Sequence, residues 1–295
     1  MRFLLPVISL FVLLPLFLAP VPVLASSEQD EIMEHANEFA IGDLSDIIDR
    51  RFLRILTVHN PLFFSFDGEK QKGVMADIAK MFEKHLAGEI GSVRSPTIVI
   101  IPVGRDELIP GLIEGRGDIV MGNLTITPAR QELVDFGPAL YPNVDELVVS
   151  GPAAKKISSF DDLVKTGLYL RRSSSYFEHL QELNAERKQQ DKNPIPITEA
   201  DENLEDYDLL DMVNAGVIKA VVVDSHKAGF WEQVFGEIKV HRELSLHSGN
   251  QIAWAIRKDS PALMKSISAF GETVRKGSLL GNIVMKRYFG NTRWI

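Results

Sequence analysis

The chain contains no cysteine. That excludes disulfides, thiolate nucleophiles, Cys-x-x-Cys redox chemistry, Cys-ligated zinc and the lipid-modified cysteine of a bacterial lipoprotein. It also lacks a positive surplus: 32 Lys and Arg stand against 40 Asp and Glu, a formal charge of -8, so a nonspecific hold on nucleic acid or anionic lipid is not expected. There is no P-loop and no Gly-x-Gly-x-x-Gly, which leaves nucleotide chemistry without a foothold. The seven histidines, His226, His241 and His247 among them, show no metal-ligand spacing and read as surface or capping residues. No cofactor and no metal are therefore expected, and chemistry is left to carboxylates, hydroxyls, Arg, Lys and His. What is present is ordinary globular material, 295 residues at 45% hydrophobic and 24% charged, enough for two lobes of domain size.

Long apolar runs are confined to the beginning. Arg2 precedes an uncharged stretch from Phe3 to Leu24, Val23-Leu24-Ala25 offers small residues for cleavage, and Ser26-Ser27-Glu28-Gln29-Asp30 turns abruptly polar. Residues 1–25 thus read as a secretory signal peptide and the rest as an exported chain. An uncleaved anchor is the alternative, but Pro6, Pro15, Pro20 and Pro22 interrupt the run, and proline breaks helices. Residues 26–51 read as a leader, with Glu31 to Arg51 forming an acidic amphipathic helix.

From Phe52 onward, short β-branched runs alternate with helical periodicity, the signature of an α/β fold. Strands are expected at 53–58, 97–102, 118–121, 147–149, 168–170, 220–223 and 252–256. Helices are expected at 75–85, 106–114, 159–165, 176–190, 205–214, 228–235, 261–276 and 279–288.

In open α/β sheets, ligands collect at the carboxyl ends of strands, where helix N-termini converge. One such end runs through Asn123 and Thr125 to Thr127-Pro128-Ala129-Arg130, where Thr127 is placed to cap a helix whose first position is Pro128, putting Arg130 in its first turn. A second leads into Arg171-Arg172-Ser173-Ser174-Ser175, a helix start whose free N–H groups suit an anion. A third ends at Asp224-Ser225, and a fourth runs through His59-Asn60-Pro61 to an apolar Leu62-Phe63-Phe64. Together they offer a guanidinium for a carboxylate, a carboxylate for an ammonium, and an aromatic face, the complement of a zwitterion such as an amino acid. Arg171 and Arg172 hint at a second anionic group. Taken singly, each residue has a plainer reading as a cap or a surface ion pair. Arg116-Gly117-Asp118 spells an adhesion tripeptide but reads as a tight turn feeding a strand.

Leu112-Ile113-Glu114-Gly115-Arg116-Gly117-Asp118-Ile119, followed by Asn123-Leu124-Thr125-Ile126-Thr127-Pro128-Ala129-Arg130 and Val134-Asp135-Phe136, resembles the signature of family 3 bacterial extracellular solute-binding proteins. Gly73-Val74-Met75-Ala76-Asp77 is similar to the same family's Gly-aromatic-x-x-Asp element. Residues 169–177, 211–216 and 253–258 resemble the N-terminal module of membrane-bound lytic transglycosylase F. The resemblance spans about Asp43 to Trp294.

It implies a type II periplasmic-binding-protein fold with two lobes, each a mixed sheet flanked by helices, closing on a ligand like a hinge. Lobe 1 would comprise 52–150 plus 248–295 and lobe 2 151–247, with Glu146 to Ser150 and Leu244 to Ser248 as hinge strands. It places Asn123, Thr125 and Asp224 on the ligand's ammonium, Arg130 and Ser173, Ser174 and Ser175 on its carboxylate, and Phe64 against its side chain. The family often has glycine where Asn123 and Arg172 stand, which implies a narrower or more polar site. The Glu-Ser and Gly-Leu-Met-Gln elements of the transglycosylase catalytic domain are not in this sequence, so no transglycosylase activity is expected of it.

The implied function is periplasmic binding of an amino acid, peptide or muropeptide. It would serve transport with an ABC transporter or sensing with a cell-wall enzyme. Two alternatives stand beside it: a truncated or split lytic transglycosylase, and a cyclohexadienyl-type dehydratase using Asp224 or His59 as acid or base.

Overall fold

The computed structural model describes residues 38–290. The expected signal peptide and leader residues 26–37 lie outside the described residues. The rest of the leader is not one long helix. Residues 38–43 are non-helical, and only α1 (Leu44–Asp49) forms, started by an Asp43/Asp46 capping box. Ile47 is fully buried in the main core, and Asp43 also accepts from the backbone N–H groups of Ala262 (2.9 Å) and Leu263 (2.8 Å). The packed structure therefore includes residues before Phe52, because this short turn is tied to Ala262 and Leu263.

The first sheet contains β1 (Phe52–Thr57), β4 (Thr97–Pro102), β5 (Ile119–Thr125), β6 (Asp135–Phe136), β7 (Tyr141–Val144) and β13 (Asn250–Ile256), in the order β4-β1-β5-β13-β6 with β7 also paired to β13. β1 is parallel to β4 and β5, whereas β13 returns antiparallel to β5. β1 is buried at every position, as expected of a parallel strand covered on both faces. The small hairpin of β2 (Ser65–Asp67) and β3 (Lys70–Lys72) leads to α2 (Val74–Ile90), and α3 (Leu108–Ile113) and α4 (Pro128–Leu133) flank β5. Gly73 opens α2 at φ 110°, where a side chain would collide with the Phe63 carbonyl, so the Gly73 element of the sequence is a steric requirement.

The second sheet has the order β10-β9-β11-β8-β12, built from β8 (Glu146–Ser150), β9 (Leu168–Leu170), β10 (Ile197–Glu199), β11 (Ala220–Asp224) and β12 (Lys239–Ser245). It is flanked by α5 (Phe160–Thr166), α6 (Ser175–Gln189), α7 (Asp206–Asn214) and α8 (Ser225–Trp231). Both sheets are mixed and flanked by helices, the expected α/β architecture. The segments expected as hinges, Glu146–Ser150 and residues 244–248, fall in and next to the second sheet. Glu146–Ser150 is an interior strand of the second sheet, paired on both edges with β11 and β12, and β12 also belongs to that sheet. Its apolar run is buried throughout because it lies between two neighbours. The chain leaves the first sheet after Val144 and re-enters it at Asn250, then closes with α9 (Pro261–Val274) and α10 (Leu279–Phe289). Among the described residues no helix is long and apolar enough to cross a membrane.

Asp118, from the Arg-Gly-Asp tripeptide, explains a second motif. It is fully buried and accepts from the Arg54 backbone N–H (2.9 Å), Arg54 Nη2 (3.0 Å) and Arg257 Nη2 (3.1 Å), with Arg50 Nη2 at 2.5 Å. Burial alone raises a carboxyl pKa, but the Arg54 hydrogen bonds and the arginine charges overcome it and hold Asp118 below its ordinary range. Arg257, from the Ala-Trp-Ala-Ile-Arg-Lys segment, thereby ties the end of β13 to the start of the neighbouring β5.

Candidate binding chamber

Three strand ends meet between the two sheets. From the first, β5 carries Asn123 and Thr125, and the Thr127 side chain caps α4 by accepting from the Arg130 N–H at 3.3 Å, with Pro128 in the first turn. This buries the Arg130 guanidinium to 7% exposure. Across the gap, β9 ends in the turn that starts α6, with Ser174 as its N-cap. β11 ends at Asp224, where α8 begins. Asn123, Thr125, Arg130, Ser173, Ser174, Ser175 and Asp224 line one chamber, together with Arg105, Arg171, Tyr176, Asp206 and Lys227.

Side chains bridge the gap directly. Arg130 donates from Nη1 to the Thr125 carbonyl (3.0 Å) and from Nη2 to the Ser173 carbonyl (2.9 Å), with Glu178 Oε1 at 3.3 Å from Nε. Ser175 Oγ donates to Glu146 Oε1 (2.7 Å) and lies 3.1 Å from Thr125 Oγ1. Asn123 Nδ2 donates to Asp224 Oδ2 at 3.0 Å. Arg105, on the loop after β4, makes a bidentate pair with Glu205 at 2.8 and 2.7 Å and donates to the Gly122 carbonyl. The chamber so closed encloses about 20 Å3, room for one or two waters at ~10–15 Å3 each.

The electrostatics follow from burial against pairing. Lys227 Nζ lies 2.6 Å from Asp206 Oδ2 and 2.8 Å from Asp224 Oδ2. Burial opposes its charge, yet the two carboxylates raise its pKa above the ordinary value. Asp206 is buried as well, but Lys227 and Arg171 hold it far below the carboxylate range. Burial, and then Asp206 and Asp224, push the Tyr176 phenol well up, so its hydroxyl stays a donor, 3.3 Å from Asp206. Burial depresses Arg130 against the opposing pull of Glu178. Burial raises Glu146, which is tied at 2.7 Å to His179, whose own pKa its carboxylate raises against burial. Asp224 Oδ1 is buried and has no hydrogen-bond partner among the described residues.

Asn123 holds φ at 56°, the left-handed region where glycine is free and asparagine is tolerated. Asparagine meets that backbone demand here, and its amide adds the hydrogen bond to Asp224.

Some expected contacts are not made. Phe64 is fully buried in the core and meets Phe66 edge-on at 5.2 Å. The bridge between Asn60 and Phe64 turns it inward, and it does not line the chamber. Its neighbour Phe63 lies nearer, with Lys227 Nζ 5.9 Å from its ring centre. Arg171 lines the chamber, with its Nε buried and unpartnered among the described residues, whereas Arg172 does not line it. Arg171 is engaged by Asp206 and the Leu204 carbonyl, and Arg172 by Glu199. His59 lies in a separate cleft beside Arg105 and Glu205. Residue patterns missed Lys227, Asp206, Arg105 and Tyr176. The Asp224/Lys227 spacing of three on a helix start was the available signal for one of them.

A family model described as bacterial extracellular solute-binding proteins, family 3, matches residues 53–291. Among curated relatives, the membrane-bound lytic murein transglycosylase F of Idiomarina loihiensis is 25% identical over 252 residues, covering 85% of this chain and 52% of that protein. That of Vibrio cholerae is 26% identical over 263 residues, covering 85% and 46%. The chain thus spans about half the length of the curated relatives it matches. Similar solved structures include a mutant of the ArgBP of T. maritima, with TM-score 0.66, 20% identity, and 84% and 99% of the two chains covered. A solute receptor for L-cysteine of Neisseria gonorrhoeae has TM-score 0.67, 20% identity, and coverage of 84% and 93%. At these identities the structures establish the shared fold.

Proposed function

The chain belongs to family 3 of the bacterial extracellular solute-binding proteins, and from that premise we propose that it is a periplasmic receptor for a small zwitterion, an amino acid or a peptide-like ligand that includes muropeptides. The observation that carries this reading is the pairing of an unpartnered buried acceptor, Asp224 Oδ1, with a buried guanidinium, Arg130, set beside the start of α6. The first would take an ammonium hydrogen and the second a carboxylate. Asn123 and Thr125 line the ammonium side, and Ser173 to Ser175 the carboxylate side.

The chamber is too small to admit such a ligand, so binding requires the two sheets to separate and close again. We place the lobes at 52–145 with 249–290 and at 146–248, with the crossings near Asp145 and Ser248 as hinges. Arg105–Glu205 acts as a latch between them. Solved neighbours described as an L-cysteine receptor and as ancestral arginine-binding proteins support a ligand of amino-acid type. The curated relatives are lytic murein transglycosylases, which favours a sensing role in cell-wall turnover alongside transport. Its partner would be an ABC transporter in one case and a cell-wall enzyme in the other, with binding rather than catalysis as this chain's task.

A thermal-shift screen of the chain from Ser26 against amino acids, dipeptides and muropeptides tests this. A ligand at 100 times its Kd adds about 2.7 kcal/mol. A response to free amino acids supports a transport receptor, and a response restricted to muropeptides supports wall sensing. A flat response across the panel, repeated by calorimetry, overturns the reading.

A further inference from the structure

A second cavity lies behind the chamber, where β13 packs against α2, α9 and α10. It encloses about 70 Å3, several times the ~10–15 Å3 that one water needs and about half of a cavity that admits benzene. Its walls are buried apolar side chains, Ile78, Ile252, Val274 and Val284 among them, and half-buried Tyr141, Met285 and Phe289 stand around it. Asn123 lines both this cavity and the chamber, so the two adjoin at that residue.

The polar groups at this wall have a definite polarity. Asp224 is ion-paired with Lys227 and accepts from Asn123 Nδ2. That fixes the amide, whose Oδ1 faces His226 Nε2 at 3.3 Å. Oδ1 is an acceptor, so Nε2 carries the hydrogen. Burial holds the imidazole down at about 4, which leaves Nδ1 as a bare acceptor at neutral pH. His226 Nδ1 is buried and without a hydrogen-bond partner among the described residues. The indole N–H of Trp254, a residue 2% exposed, is likewise unpartnered. The cavity is therefore lined by one residue with an unused acceptor and another with an unused donor, and buried groups of this kind are costly unless something pairs with them. Lys276, an exposed residue, also lines the cavity, its Nζ 4.4 Å from the centre of the Tyr141 ring; away from it the apolar wall would impose a desolvation penalty on a charged occupant of either sign.

We propose that this cavity is a second binding compartment for an aliphatic group of about three to five carbons that carries an uncharged hydrogen-bonding function, an amide or a hydroxyl. The group arrives either as a free molecule or as the side chain of a ligand held in the chamber. The second source rests on the reading of the chamber given above, and the first does not.

The test uses the full chain with isobutyramide and 2-methylpropan-1-ol as probes, read by thermal shift and by tryptophan fluorescence, since Trp254 lines the cavity. The expected result is a saturable rise in Tm with both probes, with isobutyrate and isobutylamine at least tenfold weaker. Val284→Phe fills the cavity and should abolish the response. If circular dichroism shows that variant unfolded, Met285→Trp at a half-buried position replaces it. A parallel arm compares glycine with leucine. A leucine response that the filled variant loses while keeping the glycine response identifies a ligand side chain as the occupant. Arg130→Ala should remove both amino-acid responses and spare the isobutyramide response. No saturable response to isobutyramide, the alcohol or leucine, or responses that survive both fillings, overturns the cavity proposal. Amino-acid responses that depend on Arg130 but ignore the fillings, with no saturable response to isobutyramide or the alcohol, would sink the cavity and leave the chamber standing. An isobutyramide response without any amino-acid response would do the reverse.

Discussion

Two buried charge clusters in this molecule are built from the same residue types and do opposite work. Around Asp118, three arginines converge on one carboxylate, and all of them belong to segments packed on the first sheet. Around Asp206 and Asp224, Lys227 and Arg171 are paired within the second sheet's side, while Asn123 and Arg105 reach in from the first. The Asp118 cluster ties sequence-distant segments into one body. The other spans two bodies and leaves Asp224 Oδ1 unpartnered. Burial of charge is thus not itself the mark of a site. On the proposed reading, the mark is a network that joins side chains from both sheets.

Breaking the first cluster should have the largest effect on the fold. Asp118→Asn strands three guanidinia in the interior, and losing one partner of a buried ion pair costs about 3–5 kcal/mol. Urea denaturation should show that loss with no dependence on ligand. At the chamber, the balance shifts from stability to binding. Arg130→Ala and Asp224→Ala should each weaken the best amino-acid ligand by about 2–5 kcal/mol in calorimetry, with the unliganded Tm changed far less than in Asp118→Asn. Undiminished binding by both variants would mean that the two clusters do not differ in the way described.

Arg105→Ala sharpens the comparison further. It removes a charge-assisted pair of about 1.5–3 kcal/mol that joins the lobes without, on this reading, touching ligand. Small-angle scattering should therefore show a larger radius of gyration for the unliganded chain, and ligand should restore the closed value. The smallest effect concerns pH. Burial lowers His226 from 6.5 to about 4, so between those values the unfolded chain binds the extra proton. Stability linked to this group is fully present above about pH 6.5 and declines as pH falls toward 4. Over that window the Tm of the natural protein should drop more steeply than that of His226→Gln, and parallel curves would refute the assignment.

The strand ends were legible because local chemistry dictates them. Thr127 before Pro128 favours a helix start through a side-chain cap and a preset φ, and Ser174 caps α6 in the same way, so Arg130 and the serine turn could be placed from their neighbours. Asp224 was legible as the polar stop of an apolar strand. Phe64 was not, since the choice between adjacent phenylalanines depends on the Asn60–Phe64 bridge, a turn geometry that composition does not reveal. Lys227 and Asp206 escaped for a related reason: their pairing joins two helix starts brought together by the second sheet. Glu146–Ser150 was placed as a hinge strand by the family resemblance alone; its three apolar residues, Leu147 to Val149, would look alike at an edge or inside a sheet, and only pairing with β11 and β12 shows where it lies.

The position of β13 reaches beyond the folded state to the order in which the chain is made. It is an interior strand of the first sheet, between β5 and β6, yet it is synthesised after every strand of the second. As a nascent chain lengthens, the second sheet has all its strands once Ser245 has emerged, while the first still has an open edge along β5. Domains tend to fold as units in the order of synthesis, and here that order inverts. The inserted half completes itself first, and the half that begins the fold waits for the end of the chain, with a strand edge that must be kept from other partners until β13 arrives.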